Sequence, residues 1–291
     1  MNHIEHILVK VRELPPLPDT VLRLVRVINN PDSTAQEVVD SIRYDPAATA
    51  EILRICNSPF FGIPRGVHSL MDATRFLGTM RILQLVMTIH TNGLLSRAQP
   101  GYELAQGMLW RHSVAVAIAA SNLAARMNLS AGGIPFTAGL LHDIGKVVLS
   151  EFVGESFQAI VDKVEREQLA FAEAEKQVLN ASHAEIGGEL ARRWKLPDTM
   201  VRCIAYHHDP DALTPTDPLV DAVYLADSIA LMLGVGMGAD ELHYRARPEV
   251  LERNGLHQSD LEAIGAQMLT ELRTVEKIFD LPALTQAGLR R

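Results

Sequence analysis

Gly139-Leu140-Leu141-His142-Asp143-Ile144-Gly145-Lys146 sets a His-Asp doublet inside an apolar helical run. Burying such a pair without partners costs about 2–7 kcal/mol per polar group, so something in the fold must compensate. His112, His183, His207, His208 and Asp227 are available to join it, and a divalent cation suits imidazole and carboxylate donors best. On a helix, positions 142 and 143 stand roughly 100° apart, which lets neighbouring faces aim both side chains into one cavity. Gly145 reduces bulk beside them, and Lys146 follows His142 by one turn.

Working outward from that doublet, nearly every segment reads as helix. Val21 to Ile28 follows Pro18-Asp19 and stops at Asn29-Asn30-Pro31, start and stop signals in the expected places. Ser33 with Gln36 three residues on predicts a capping box, and Asp45-Pro46 predicts the start of a helix ending at Asn57. Ser69 through Leu77 and Arg81 through Leu95 continue the pattern. Further helices are expected at about 104–128, 135–150, 155–169, 173–181, 183–194, 198–208 and 218–234, with two or three more to the end. No alternating strand is found, so the fold class is all-α. Residues 96–103, with Pro100-Gly101 as punctuation, are the best linker candidate and predict domains at 1–100 and 101–291.

Each candidate ligand also has an ordinary explanation. His112 interrupts an apolar stretch where a lone histidine is normally a hydrogen-bonded core residue. His183 opens a helix in which Gly187-Gly188 permits close packing. His207-His208 closes a helix, where imidazolium interacts favourably with the C-terminal dipole. Asp227 is an acid within Leu219 to Val235, a stretch otherwise fit for burial. Each explanation serves singly, but all must hold at once. His68, His90, His243 and His257 have no clustered partners and read as core or surface residues.

Composition bounds the rest. The chain has 291 residues, 47% hydrophobic and 21% charged, which describes an ordinary globular protein with a sizeable core. Cys56 and Cys203 lie apart in apolar helical contexts, so a disulfide framework is not expected and a reducing cytoplasm fits. The N-terminus lacks the basic flank and apolar block of a secretory signal, and Asp221 and Asp227 interrupt the nearest thing to a membrane span. Net charge is −8; residues 1–100 hold 10 basic and 9 acidic side chains, which leaves 17 basic and 26 acidic for the remainder. That acidic excess attracts cations and repels polyanions, which argues against nucleic acid as a partner.

A mixed His and Asp site suits Fe or Mn ahead of Zn, and Asp143 could bridge two ions. The chemistry open to it is hydrolysis of a phosphate ester, with Asp143 and Lys146 as the catalytic pair if the site is active and Lys146 neutralising developing charge. Rival motifs fail. Gly139 to Lys146 puts five residues rather than four between the glycines of a P-loop, and Val147 stands where Ser or Thr is needed.

The chain resembles the HDOD proteins, bacterial signalling modules related to the HD phosphohydrolase superfamily, over roughly residues 7–235. The motifs that carry the resemblance are Leu14-Pro15-Pro16-Leu17-Pro18, Asp45-Pro46-Ala47, Asn57-Ser58-Pro59-Phe60-Phe61-Gly62, Leu77-Gly78, Trp110-Arg111-His112-Ser113 and Gly139 to Lys146. Arg193-Trp194-Lys195-Leu196-Pro197 and His207-His208-Asp209-Pro210 complete the set. The resemblance implies an N-terminal helical bundle packed on an HD-like helical bundle, and a regulatory output rather than an enzyme. The superfamily's H…HD…D pattern maps onto His112, His142, Asp143 and Asp227, and His183, His207 and His208 match the additional ligands of the HD-GYP phosphodiesterases, which cleave cyclic di-GMP. The Gly-Tyr-Pro element is absent after His208, and Met108 stands where some of those enzymes carry an acid.

The expectation is therefore a cytoplasmic signal-transduction module with a retained metal site holding one or two ions, non-catalytic or ligand-sensing. Its partner is expected to be a signalling protein or a small nucleotide-like ligand, with neither nucleic acid nor membrane involved. The alternative is a metal-dependent phosphohydrolase or phosphodiesterase acting on a nucleotide. Phe60 and Phe61 either recognise a partner or plug the interface between the two halves.

Overall fold

The computed structural model describes residues 3–279 apart from residues 31, 59–60, 62, 64–65, 237 and 239–246; Phe60, His243 and Arg245 lie outside the described residues. Its helices are α1 (His3–Glu13), α2 (Asp19–Ile28), α3 (Ala35–Ile42), α4 (Pro46–Cys56), α5 (Leu70–Leu77), α6 (Thr79–Leu95), α7 (Met108–Arg126) and α8 (Ile134–Leu141). There follow α9 (Gly145–Glu167), α10 (Phe171–Leu179), α11 (His183–Arg193), α12 (Asp198–Tyr206), α13 (Pro218–Met232), α14 (Pro248–Arg253) and α15 (Gln258–Ile278). Short 3₁₀ turns occupy Pro100–Tyr102 and Pro210–Ala212. The described residues contain no strand beyond an isolated bridge between Gln99 and Leu104, so the fold is all-α as expected.

Local chemistry sets the boundaries. Asp45 caps α4 by accepting from the Ala48 N–H at 2.9 Å, with Pro46 in the first turn where its missing N–H costs nothing. Ser69 caps α5 in the same way. The capping box expected at Ser33 and Gln36 forms one residue later: Thr34 accepts from the Glu37 N–H at 3.2 Å, and Glu37 accepts from the Thr34 N–H at 2.8 Å. The shift puts Val38 and Ile42 on the buried face.

α2 to α6 pack on one another to form the first bundle, whereas α1 lies against α9 and α11. The second bundle centres on α7, which packs on α8, α13 and α15, while α11 packs on α9 and α12. α8 is buried from Pro135 to Leu141 and α13 from Val220 to Ala230, as all-round apolar helices must be. Buried apolar residues of both bundles join in one core, where each fully buried Leu, Ile or Val contributes about 1.5–3 kcal/mol. No helix among the described residues is long and apolar enough to cross a membrane.

Two departures from the sequence expectation shape the site. Residues 96–103 do not run free: Gly101 and Tyr102 are buried, and a Cβ on Gly101 would sit 1.9 Å from the Ser150 carbonyl oxygen, so the segment is docked on α9. The His-Asp doublet is not within a helix. α8 ends at Leu141, residues 142–144 make a tight turn with the Ile144 N–H bonded to the Leu141 carbonyl, and α9 then runs unbroken to Glu167. Directly after the turn lies a close crossing, at which a Cβ on Gly145 would meet the His183 carbonyl oxygen at 1.9 Å and the Gly187 nitrogen at 2.8 Å. Only glycine admits α11 this near, and the turn carries His142 and Asp143 to His183.

Candidate metal centre

Six elements supply the site. α7 contributes His112, the turn after α8 contributes His142 and Asp143, and the first turn of α9 contributes Lys146. His183 opens α11, His207 and His208 follow α12, and Asp227 comes from the middle of α13. All seven candidate ligands are brought together. Within the described residues, Asp143, His183, His207 and His208 each offer one donor atom within 4.8 Å of the others, as do His112, His142 and Asp143. His112, His142, Asp143, His183, His207 and Asp227 are at most 3% exposed, and only the His208 side chain, at 24%, reaches solvent appreciably.

The carboxylate of Asp143 faces both groups. Its Oδ2 lies 3.3 Å from His142 Nε2 and 3.6 Å from His112 Nε2, whereas its Oδ1 lies 3.5 Å from His183 Nε2 and 3.7 Å from His207 Nε2. Asp227 Oδ1 stands 3.1 Å from His112 Nε2 and 3.7 Å from His142 Nε2, and its Oδ2 is 3.9 Å from His208 Nδ1. The Nε2 atoms of His183 and His208 are 2.8 Å apart.

The imidazoles are oriented from behind. His142 donates Nδ1–H to the Gly139 carbonyl at 2.7 Å, His207 to the Ile204 carbonyl at 2.7 Å, His112 to the Val235 carbonyl at 2.9 Å and His183 to the Glu175 carboxylate at 2.9 Å. Each bond turns Nε2 inward as the available donor, the outer-shell arrangement that metal-ligating histidines use. Meanwhile His142 Nε2, His207 Nε2, Asp143 Oδ1 and Asp227 Oδ2 are buried with no hydrogen-bond partner. Orphaned buried acceptors are costly, and donors about 2.0–2.2 Å from a common ion would stand about 3.0–3.5 Å apart, near the spacings observed. These residues fit a divalent cation.

Electrostatics agree. Burial would raise Asp143, but the neighbouring His142 and the Lys146 ammonium hold it well below the usual carboxylate range. Burial, His207 and His183 keep His208 neutral far below the ordinary imidazole value, and burial lowers His207 as well. Burial pulls His112 down, yet the adjacent Asp227 and Asp143 carboxylates reverse this and push it up to about 9. A proton held there is a charge that a cation would replace. Burial acts downward on His183 too, and Glu175 outweighs it.

Lys146 is not poised over open space. Its Nζ donates to Asp143 Oδ2 at 2.6 Å, lies 5.7 Å from the Tyr102 ring centroid and is 4% exposed.

Sequence reading passed over Glu175 and Tyr102. Glu175, fully buried on α10, accepts from both the backbone N–H of His183 at 2.6 Å and its Nδ1, and its other oxygen accepts from the Tyr102 hydroxyl. The signal was present: Phe171, Glu175 and Leu179 recur every four residues, which puts an acid on the apolar stripe of its helix.

An HDOD domain family model matches residues 14–210, about the first two thirds of the chain and ending short of Asp227. An uncharacterized protein of Treponema pallidum is 26% identical over 220 residues, 75% of this chain and 42% of that protein. A Ribonuclease Y of Thermus thermophilus is 35% identical over 178 residues, 60% of this chain and 26% of that protein. The chain thus spans less than half the length of these curated relatives. Among solved structures, an HDOD domain protein of Geobacter sulfurreducens matches with TM-score 0.72 at 30% identity, covering 95% of this chain and 99% of that one. A protein of Shewanella amazonensis named a candidate phosphohydrolase matches with TM-score 0.68 at 27% identity, covering 95% and 98%. The two-bundle architecture and the family match together make this chain a member of the HDOD domain family.

Proposed function

We propose that the chain is a cytoplasmic signal-transduction module whose HD-type centre binds one or two divalent ions, Fe or Mn ahead of Zn, for structure or ligand sensing rather than for turnover. One observation carries this reading: the donors are sealed. Six of the seven are buried, and Lys146, the group that could hold a phosphate, is spent on Asp143. A catalytic metal keeps an open position and room for substrate, whereas a structural one is enclosed. His112, His142, Asp143 and Asp227 would hold one ion, and His183, His207 and His208 with the far oxygen of Asp143 a second. Such an ion would supply a positive charge that satisfies the four orphaned acceptors. Residues 1–100 and 101–291 are taken as the two functional halves. The partner is a signalling protein or a small nucleotide-like ligand; the acidic excess beyond residue 100 disfavours nucleic acid, and no membrane is involved.

A second reading, a phosphohydrolase or phosphodiesterase acting on a nucleotide, is favoured by the complete ligand set and by Asp143 presenting one oxygen to each group. In that case Asp143 and Lys146 would be the catalytic residues. The deciding experiment is anaerobic purification with metal analysis for Fe, Mn and Zn, followed by nucleotide and cyclic-dinucleotide assays beside a His142→Ala, Asp143→Ala variant. Metal without turnover supports the sensing module. Turnover abolished by the double change supports the enzyme, and no metal in any preparation refutes both.

A further inference from the structure

The connector that joins α6 of the first bundle to α7 of the second, residues 96–107, is folded rather than slack. Its ends are tied by the Gly107 N–H donating to the Ser96 carbonyl at 2.9 Å, and Gln99 and Leu104 exchange backbone bonds at 2.8 and 3.2 Å. The result is a compact loop with close ends. Its tip, the turn Pro100–Tyr102, is pressed onto α9: the Gly101 N–H donates to Ser150 Oγ at 3.1 Å, and a Cβ on Gly101 would come within 2.9 Å of the Gly154 nitrogen as well as colliding with the Ser150 carbonyl. Only glycine lets the loop seat this deeply.

What that seating delivers is Tyr102, fully buried and in touch with the metal centre by two separate routes. Its hydroxyl donates to one oxygen of Glu175, whose other oxygen holds the backbone N–H and the Nδ1 of His183. Its ring faces the Lys146 ammonium at 5.7 Å, and that ammonium is bonded to Asp143. The ring also stands edge-on to the His183 imidazole, 6.0 Å between centroids. Both routes end on members of one donor group, that of Asp143, His183, His207 and His208. One partner for the hydroxyl would be enough to bury a core tyrosine. Bracing two donors of the same group from the tip of an inter-bundle connector goes beyond that need.

We infer that Tyr102 is a positioning residue for the ion held by Asp143, His183, His207 and His208, and that through it the connector is drawn tight when that ion binds and loosened when it leaves. The inference rests on the metal reading above and adds where in the molecule the ion is felt. Its physical ground is reciprocity: if the seated connector fixes Glu175, and so His183, for the ion, then the ion stabilises the seated connector by the same factor. Were Tyr102 only a partner that satisfies buried Glu175, the connector would be equally tight with and without the ion.

The test is hydrogen–deuterium exchange of the full chain, read by mass spectrometry with and without Mn(II), on wild type, Tyr102→Phe and Gly101→Ala. With Mn(II) at about ten times its dissociation constant, an opening that must release the ion slows by up to about elevenfold, so the wild-type peptide over 96–107 should slow by about three- to tenfold. In Tyr102→Phe, which keeps the ring and removes the hydroxyl, that response should vanish while Mn(II) still protects the peptide over 205–209. Gly101→Ala, which unseats the loop without touching a donor, should do the same. Chelator competition should show Mn(II) held about three- to tenfold more weakly in both variants, less than the about 10–100-fold of a direct outer-shell loss. Circular dichroism identifies the folded variants, and if Gly101→Ala does not fold, Tyr102→Phe carries the test alone. Mn(II) that binds wild type but leaves exchange over 96–107 unchanged, or a response that survives in a folded variant, would overturn the inference and leave the metal reading standing. No bound Mn(II) in wild type would remove both.

Discussion

At the scale of single residues, Glu175 decides how His183 presents itself, because one carboxylate oxygen holds both the backbone N–H and the ring Nδ1 of that histidine. Glu175→Gln should weaken metal binding by about 10–100-fold in a chelator competition, the usual effect of losing an outer-shell partner; unchanged affinity would remove Glu175 from the site. Asp45 offers a test away from the centre. Burial alone would raise its pKa, but the Ala48 N–H and the His90 ring 2.7 Å away lower it. A carboxylate depressed in the folded state stabilises above its unfolded value, near 4, and loses that contribution as pH falls through its folded value. Asp45→Ala should therefore cost about 1–2 kcal/mol at neutral pH, and in urea titrations the gap to wild type should narrow as pH falls from 6 to 3. Asp45 was legible as a cap because Asp-Pro before an apolar run has one common meaning. Glu175 was harder to read: its place on the Phe171 to Leu179 stripe marks it, but in Phe-Ala-Glu-Ala-Glu-Lys-Gln-Val-Leu three charged side chains compete for notice and the stripe alone names no partner for the buried one.

Among elements, junctions rather than helices carry what is specific. Helix interiors followed from periodicity, and the stops at Asn29 and Asn57 fell where expected. The turn at 142–144 did not, because the apolar run continues through it without a Pro, or a capping residue at 144, to mark a break, and nothing local reports that α11 passes so close to Gly145. Gly145→Ala pushes a methyl group into the His183 carbonyl and should cost about 4 kcal/mol or more, read as a melting point lower by about 10 °C or as insoluble protein. The expected linker at 96–103 failed for a related reason: Pro-Gly marks a bend but not what the bend packs against, and Tyr102 bends inward to Glu175. A second junction lies beyond the family match, where Arg253 of α14 forks onto buried Asp221 of α13, helped by Asn254 at 2.7 Å. Arg253→Ala leaves that carboxylate short of its cation and should destabilise by about 2–4 kcal/mol in denaturant unfolding, whereas Arg253→Lys should recover only part, lacking the fork.

For the whole molecule, an ion at the centre would tie α7, α11, α12, α13 and the turn before α9 to one point, so its removal should be felt globally. With metal at about 1,000 times its dissociation constant, binding adds about 4 kcal/mol, and chelation should lower the calorimetric melting point by about 8–16 °C. No change on chelation would mean that the five elements hold together without it. The uneven enclosure of the centre has a kinetic corollary. Because His208 alone borders solvent while the His112, His142 and Asp227 corner is walled in, a scavenging chelator meets one flank first. A two-ion form should then empty in sequence, a fast phase from the His208 flank followed by a slow phase limited by local opening of the fold, so that loading history, and not affinity alone, would set how much metal the protein carries.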